Sequence, residues 1–452
     1  MPDKSSTAAH TPAGWHRRVW RLALPMILSN LTLPLLGAVD TAVVGHLGEP
    51  HYLGAVSIGA LIFATLYFGC NFLRMGTTGL TAQAFGARND DEIRAVLARA
   101  LVIALGLATL MLAAQELIGW GAFAVIGASD TVTASGEIYF YARIWGAPAA
   151  LCNVALIGWF IGMQTTRPAM LILITVNGLN IVLDLIFVLG FDLGVAGVGW
   201  ATVVADYAGL GLGAWMARGM LKERAGQLYW NLLMRGERMR RFVAVNTDIF
   251  IRTMAVTLSF VLFEAIAARM GDMTLAINAV LMNFVIFLNY GIDGMAFAAE
   301  ALTGRALGGR DEKDMRAALR AGGLWCFVIA VITVVIFAAL GPALVRTLTD
   351  LEAVRAGAAL YLPWVIAMPI AAFWALFLDG VFTGTTRTRD MRNTMLFSAA
   401  LYVPAALLLP DVLGNHGLWL ALTLLYLVRT LSMGAIHWRV QRRGGYIAAA
   451  AY

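Results

Sequence analysis

The sequence predicts an all-α polytopic membrane protein in which twelve transmembrane helices form two six-helix bundles related by a parallel internal repeat. Three observations support this fold class. The chain is too apolar for a water-soluble protein, its apolar residues fall into twelve segments of membrane-spanning length, and two distant stretches recur at one constant offset.

The composition excludes a soluble enzyme, a disulfide scaffold and a disordered chain. Hydrophobic residues make up 60% of the 452 residues and charged residues 13%, and the mean hydropathy is +0.76. A soluble domain is about half apolar and about a quarter charged. The three cysteines, Cys70, Cys152 and Cys326, lie within apolar stretches. We therefore interpret them as core residues and expect no disulfide framework.

Twelve apolar segments are long enough to cross the hydrocarbon core, which takes about 20 residues for about 30 Å. Breaks at polar, glycine and proline clusters place them at 22–46, 53–74, 95–118, 136–160, 168–190, 195–218, 248–268, 274–299, 318–340, 358–382, 394–413 and 417–437. An even number of spans puts both termini on the same side of the membrane.

The basic residues indicate which side that is, because Lys and Arg are enriched in cytoplasmic loops. The links 47–52, 119–135, 191–194 and 414–416 contain neither residue, whereas the alternate links and both tails are rich in arginine. Arg269, Arg346 and Arg355 are the exceptions. We therefore expect both termini in the cytoplasm. Since topology accounts for the net charge of +6, we expect no nucleic-acid partner, and the polar start of the chain predicts no cleavable signal peptide.

These boundaries divide the chain into five parts. They are a cytoplasmic N-terminal tail (1–21), an N-lobe with spans one to six (22–217), a cytoplasmic link (218–246), a C-lobe with spans seven to twelve (247–438) and a cytoplasmic C-terminal tail (439–452). For the basic link we favour a tether held by lipid headgroups over an interfacial helix.

An internal duplication relates the two lobes. Residues 80–94 match 302–316 at six of fifteen positions, and residues 158–167 match 380–389 at five of ten, both at an offset of 222. A constant offset across two distant segments indicates that one unit of six spans was copied. Because six is even, both copies enter the membrane from the same side, which is a parallel repeat of the kind found in secondary transporters.

Polar residues inside the N-lobe spans are candidates for a functional site, because burying them in lipid is costly. At about 1.5 Å per helical residue, one level of the membrane receives Asp40 of span one, Asn180 and Asp184 of span five, and Thr202 and Asp206 of span six, and Asn177 lies deeper on span five. The cluster could bind a proton on a carboxylate, hold sodium on several oxygens, or serve as a structural bracket. We favour function for Asp40 and Asp184 and leave Asn177, Thr202 and Asp206 open.

The C-lobe spans carry charges toward their cytoplasmic ends, namely Asp248, Arg252, Asp293, Glu300 and Asp379. Mixed signs favour a network of ion pairs and helix caps that closes this side, over a second ion site. Glu264 and Arg429 are not placed by that network and remain candidates for a cavity. In span one, Pro25 and Pro34 interrupt the helix before Asp40, and the kink could be mobile or static.

Four stretches carry a resemblance to a known family. They are LALPMILSNLTLPLLGAVDTAVVGHLG (22–48), RMGTTGLTAQAFGARN (74–89), NGLNIVLDLIFVLG (177–190) and GVAGVGWATVVADYAG (194–209). With these the chain resembles the multidrug and toxic compound extrusion (MATE) family, in its DinF branch, and the likeness extends over nearly the whole sequence. The resemblance implies two six-helix bundles forming a V around a central cavity, and export of amphipathic or cationic compounds in exchange for protons or sodium.

The resemblance also assigns roles. It implies that Asp40 is the coupling carboxylate, accompanied by Asn180, Asp184 and Thr202, which could also hold sodium. A second ion site in the C-lobe would involve helices seven and ten, where Glu264 and Asp379 lie. We expect a monomeric, proton-coupled rather than sodium-coupled antiporter of the bacterial inner membrane, without cofactor or enzymatic activity. The alternative is a flippase for lipid-linked substrates of the same superfamily.

Overall fold

The computed structural model describes residues 12–30, 37, 39, 42–45, 49–127, 129–229 and 236–449, and within these ranges it contains helices and no strands. Asp40 and Pro34 lie outside the described residues, and so do Trp230, Leu232 and Leu233 of the link. The described chain divides into two compact units. One comprises residues 28–242, and the other combines the described parts of 1–27 and 243–452.

The helices in the first half of the chain are α1 (Pro12–Asn30), α2 (Pro50–Gly69), α3 (Phe72–Gly86), α4 (Asp90–Ala113), α5 (Gln115–Ile126), α6 (Asp130–Arg143), α7 (Ala147–Gly162), α8 (Arg167–Asp184) and α9 (Gly194–Lys222). A 3₁₀ turn, Ile144–Gly146, joins α6 to α7, and a π-helical segment, Leu185–Gly190, continues α8. The second half contains α10 (Gly236–Arg269), α11 (Asp272–Gly308), α12 (Glu312–Leu348), α13 (Glu352–Gly384), α14 (Thr388–Leu413), α15 (Asn415–Arg442) and the short α16 (Gly445–Ala449).

Within the described ranges, eleven helical stretches are long and apolar enough to cross a membrane. The twelfth predicted span, 22–46, is described only in part, at its start by α1. Part of the predicted link 119–135 is helical, because α4 ends at Ala113 and α5 runs from Gln115 to Ile126. Several helices also run past their predicted ends. Charged residues stop an apolar segment, but they do not interrupt a helical hydrogen-bond ladder.

The duplication extends to the backbone. Left-handed residues occur in pairs at the offset of 222, with φ of 54° at Arg88 and 52° at Arg310, and 63° at Gln164 and 53° at Thr386. The helix caps repeat as well, since the Asn89 side chain accepts a bond from Glu92 N at 3.0 Å and Asp311 accepts one from Asp314 N at 2.9 Å. Both copies therefore use the same turn and the same N-cap.

Two glycines mark the same close helix contact in each copy. A methyl group added at Gly158 would lie 3.0 Å from Arg74 Cα, and one added at Gly380 would lie 2.9 Å from Ala296 Cα. Arg74 and Ala296 are themselves 222 residues apart. The contact between spans two and four is thus repeated between spans eight and ten, with the backbones too close for a side chain.

This contact yields a stability prediction. Gly158→Ala should destabilise the protein by about 1–3 kcal/mol, because overpacking forces backbone shifts. The matched control is Gly178→Ala on α8, where an added methyl group meets nothing within 4 Å and alanine favours the helix by up to about 1 kcal/mol. Thermal unfolding of the purified variants measures both. Equal unfolding temperatures would contradict the inferred close approach.

The two copies differ in regularity. The first is interrupted at 70–71 between α2 and α3, at Ile144–Gly146, and by the π-helical Leu185–Gly190. The corresponding positions 222 residues later lie inside the continuous helices α11, α13 and α14. Helix irregularities of this kind, π-bulges especially, are frequent at functional sites. They direct attention to the polar groups of the first copy.

Candidate functional site

The residues predicted on spans five and six meet in the unit formed by residues 28–242. Helices α8 and α9 pack against each other, and Asn177, Asn180 and Asp184 on α8 are buried. The Asn180 amide lies between Asp184 and Thr202, 3.2 Å from Asp184 Oδ2 and 3.1 Å from Thr202 Oγ1. Three of the four predicted coupling residues therefore form one hydrogen-bonded row, and the fourth, Asp40, lies outside the described residues.

The Asn180 amide can serve both protonation states of Asp184, because one end of an amide donates hydrogen bonds and the other accepts them. With Asp184 ionised, Nδ2 donates to the carboxylate at 3.2 Å and Oδ1 accepts from Thr202 Oγ1 at 3.1 Å. With the amide turned over, Oδ1 can accept from a protonated Asp184. Nδ2 then donates to Thr202 Oγ1, which donates to Val198 O at 3.1 Å. Which way an amide points follows from such partners.

A sodium site here would need different ligands. Within the described ranges, no group of three or more His, Cys, Asp or Glu side chains is placed to hold a metal ion. Sodium would therefore require the amide and hydroxyl oxygens of Asn180 and Thr202 beside Asp184. Of the accessory residues, Asn177 is buried on α8, and Asp206 lies one turn beyond Thr202 on α9.

Asp206 belongs to a second group of polar residues that includes an arginine which the sequence did not single out. Its backbone oxygen accepts a bond from the buried Asn153 at 2.9 Å, and Arg143 is near enough to attract its carboxylate. Arg143 lies at the end of α6, donates to Tyr139 Oη, and stands 4.8 Å from the centre of the Phe63 ring. The sequence did contain a signal for this group, because Arg143 is a basic residue inside the predicted span 136–160.

In the other unit, Asp379 lies between two arginines. Its Oδ2 accepts from Arg252 and from Arg429, and both Asp379 and Arg429 are 4% exposed. Arg252 and Asp379, two members of the predicted network of ion pairs and helix caps, therefore form an ion pair. The exclusion of Arg429 from that network was wrong, because span twelve brings its guanidinium to the same carboxylate oxygen. Glu264 is exposed and makes no ion pair within the described residues.

The remaining predicted charges of this unit are also engaged. Asp248 accepts from Arg392 at 2.6 Å and from Thr388 Oγ1 at 3.1 Å, which ties the start of span seven to α14. Asp293 is near enough to Arg252 to interact with it electrostatically, and Glu300 is buried on α11.

The link after span six is held by protein carboxylates, which the sequence did not predict. Arg224 donates to Asp90 Oδ1 at 2.7 Å, Gln227 N donates to Asp91 Oδ1 at 2.7 Å, and Arg238 pairs with Glu92. All three acids lie in the first turn of α4, in the duplicated motif. The described part of the link is therefore bound to the unit that it follows, rather than tethered by lipid headgroups alone.

Comparisons with known proteins agree with this architecture. The MatE family model matches residues 25–186 and again 249–408, once in each copy. The chain is 41% identical to DNA damage-inducible protein F of Escherichia coli K12, over 96% of this chain and 94% of that protein. It is 27% identical to a probable multidrug resistance protein NorM of Bradyrhizobium diazoefficiens, over 89% of each chain.

Solved structures show the same fold at low sequence identity. A Vibrio cholerae MATE transporter mutant matches with a TM-score of 0.87 and 17% identity, over 96% of this chain and 99% of that chain. A transporter of the MOP superfamily from Pyrococcus furiosus matches with a TM-score of 0.85 and 19% identity, over 96% of each chain. Since the family model covers both copies and one relative is 41% identical over nearly its full length, the chain belongs to the MatE family of multidrug and toxin efflux transporters, which are multi-pass membrane proteins that move small molecules and are not enzymes.

Proposed function

We propose that this transporter is a proton-coupled antiporter that exports amphipathic or cationic compounds by alternating access. It would reside in the bacterial inner membrane with both termini in the cytoplasm, as the basic links indicate. The observation that carries the proposal is the hydrogen-bonded row of Asp184, Asn180 and Thr202. It places a buried carboxyl group beside an amide that can accommodate both its charged and its neutral form.

Proton coupling is favoured over sodium by the partners of Asp184. A buried carboxylate can exchange a proton if its hydrogen bonds remain satisfied in both states, and the turn of the Asn180 amide would achieve this without moving a helix. Sodium needs several oxygen ligands at once. Asn180 and Thr202 supply two such oxygens in the row that includes Asp184.

The second copy favours a single coupling site in the first. Asp379, on a helix where the family can place a C-lobe ion site, already holds two guanidinium groups. The two guanidinium groups already pair with the carboxylate that a transported cation would have to bind. The helix irregularities at 70–71, 144–146 and 185–190 likewise occur in the first copy only.

In the proposed cycle, Asp40 accepts a proton from outside, as the family resemblance implies, and Asp184, Asn180 and Thr202 set the energy of that step. Protonation favours a bent first helix and outward release of the substrate. The lobes then rock and the proton leaves on the inner side. Pro34, which interrupts span one in the sequence, is the proposed point of bending.

The proposal is tested in liposomes that contain the purified protein and a fluorescent cationic compound. A pH gradient in sodium-free buffer should drive transport, whereas a sodium gradient at constant pH should not. Asp40→Asn should reduce the pH-driven rate roughly tenfold or more, in the range of typical coupling energies. Full transport by this variant would refute its coupling role, and dependence on sodium alone would refute proton coupling.

A further inference from the structure

A basic pocket lies at the end of the last long helix, apart from the polar groups described above. It has a volume of about 640 Å³ and is lined by Arg387, Asp390, Arg439, Val440, Arg443 and Ala449. The pocket thus lies between the start of α14, the end of α15 and the short α16. Its size is typical of sites for small ligands, which are about 300–1,000 Å³.

The charges of the pocket leave an excess of two positive groups. Arg387 is held by Asp390, with its Nε 2.7 Å from Asp390 Oδ2. Within the described residues, Arg439 and Arg443 make no ion pair, and both side chains are exposed. One arginine is therefore neutralised and fixed in place, while two guanidinium groups are free to bind an anion.

The wall on the side of α16 is preformed. Gly444 and Gly445 have φ of 93° and 89°, which lets the chain reverse directly after α15. Tyr446 is buried, and its hydroxyl lies 2.8 Å from His437 Nδ1. Burial raises the pKa of the Tyr446 phenol, so this side chain adds no negative charge beside the arginines. The side of the pocket formed by α16 is therefore preformed and adds no negative charge that would repel an anion.

A neighbouring residue fixes the height of the pocket in the membrane. Trp438 is 55% exposed, and the guanidinium carbon of Arg442 lies 3.5 Å from the centre of its ring. An exposed Trp at the end of a spanning helix, covered by an Arg, is typical of the headgroup layer. Arg439 follows Trp438 directly, so we expect the two free guanidinium groups at the depth of lipid phosphates.

We propose that this pocket binds the phosphate of an anionic phospholipid headgroup on the face predicted to be cytoplasmic. Arginine is suited to phosphate because its planar fork can donate two parallel hydrogen bonds. Basic pockets between transmembrane helices on this side of a membrane bind such headgroups. The apolar side chains of Ile436, Val440 and Ala449 line the rest of the pocket and suit the start of the lipid's acyl chains.

The test is a titration of delipidated protein with phosphatidylglycerol or phosphatidylcholine, followed by native mass spectrometry. Wild type should retain one more phosphatidylglycerol than the variant Arg439→Gln/Arg443→Gln, with an affinity roughly 30-fold higher for that lipid. Phosphatidylcholine should show no such difference, because its ammonium group cancels the phosphate charge. The matched control is Arg310→Gln/Lys313→Gln, which removes two exposed positive charges from the same predicted face outside the pocket.

Two results would overturn the proposal. In the first, the pocket variant and the control variant lose phosphatidylglycerol equally, which would mean that only general surface charge attracts the lipid. In the second, inorganic phosphate binds in neutral-lipid nanodiscs with the same dependence on Arg439 and Arg443 and phosphatidylglycerol does not compete with it. The occupant would then be a soluble phosphate rather than a lipid. Thermal unfolding of both variants establishes that each is folded.

Discussion

Asp379→Asn should destabilise the transporter by about 3–5 kcal/mol, the cost expected when one partner of a buried ion pair is removed. The carboxylate is the shared acceptor of Arg252 and Arg429, and both Asp379 and Arg429 are 4% exposed. A neutral amide in its place would leave the buried guanidinium group of Arg429 and the partly buried one of Arg252 near each other without a counter-charge. Like charges in a low-dielectric interior then repel with little screening.

Thermal and denaturant unfolding of the purified protein measure this effect. The control is Asp350→Asn. The Asp350 side chain is fully exposed and pairs with Arg355 at 2.9 Å, and exposed pairs of this kind contribute about 0–1 kcal/mol to stability. A triple variant, Asp379→Leu/Arg252→Met/Arg429→Met, should recover much of the lost stability, since removing a whole buried network can be neutral. If Asp379→Asn costs no more than the control, the two arginines do not depend on Asp379, and a C-lobe cation site becomes the better interpretation.

The span pattern and the duplication could be predicted from the sequence, because a bilayer imposes a length of about 20 apolar residues on every crossing helix. The equal offset of residues 80–94 and 158–167 from their copies predicted which spans correspond, and the paired left-handed residues Arg88 and Arg310 extend that relation to the backbone. The breaks at 70–71, 144–146 and 185–190 could not be predicted. Hydropathy averages over a window, and one extra residue in a helical turn does not change it.

The candidate site, like the fold, could be predicted from the sequence only in part. Asn180 and Asp184 are four residues apart, so one helix face carries both, and depth along span six brought Thr202 to their level. Arg143 and Arg429 were missed as members of polar clusters for a different reason. Depth along a helix axis follows from sequence position, but the direction in which a side chain points depends on how the helices pack. Arg429 meets Asp379 only because α15 lies beside α13.

Asp184→Asn should reduce pH-driven transport roughly tenfold or more, while the protein remains folded. The amide has nearly the shape of the carboxyl group and can still bond to Asn180, so the row from Asp184 to Thr202 would persist. What the variant loses is the ionisable group that, in the proposed cycle, sets the energy of proton uptake at Asp40. Its transport should therefore also lose most of its dependence on pH, which distinguishes a coupling role from a packing role.

Variants of the neighbours should behave differently. Asn180→Leu removes the amide that bonds to Asp184 at one end and to Thr202 at the other, and Thr202→Val removes the hydroxyl that bonds to Val198 O at 3.1 Å. Both should slow transport but keep a pH-dependent rate, because the carboxyl group remains. Asp411→Asn, on an exposed carboxyl near the end of α14, is the control that should leave rate and pH profile unchanged.

The roles of the two carboxyl groups can be distinguished by measuring transport in liposomes from pH 5.5 to 8.5. Asp184→Asn and Asp40→Asn are measured in parallel. If only Asp40→Asn flattens the profile, the row of Asp184, Asn180 and Thr202 is a structural bracket beside the coupling residue. If only Asp184→Asn flattens it, the coupling proton belongs to span five, and the role that the family resemblance gives to Asp40 does not hold for this chain. Flattening by both would mean that one proton is shared, because either loss then removes the charge change that distinguishes the inward and outward states.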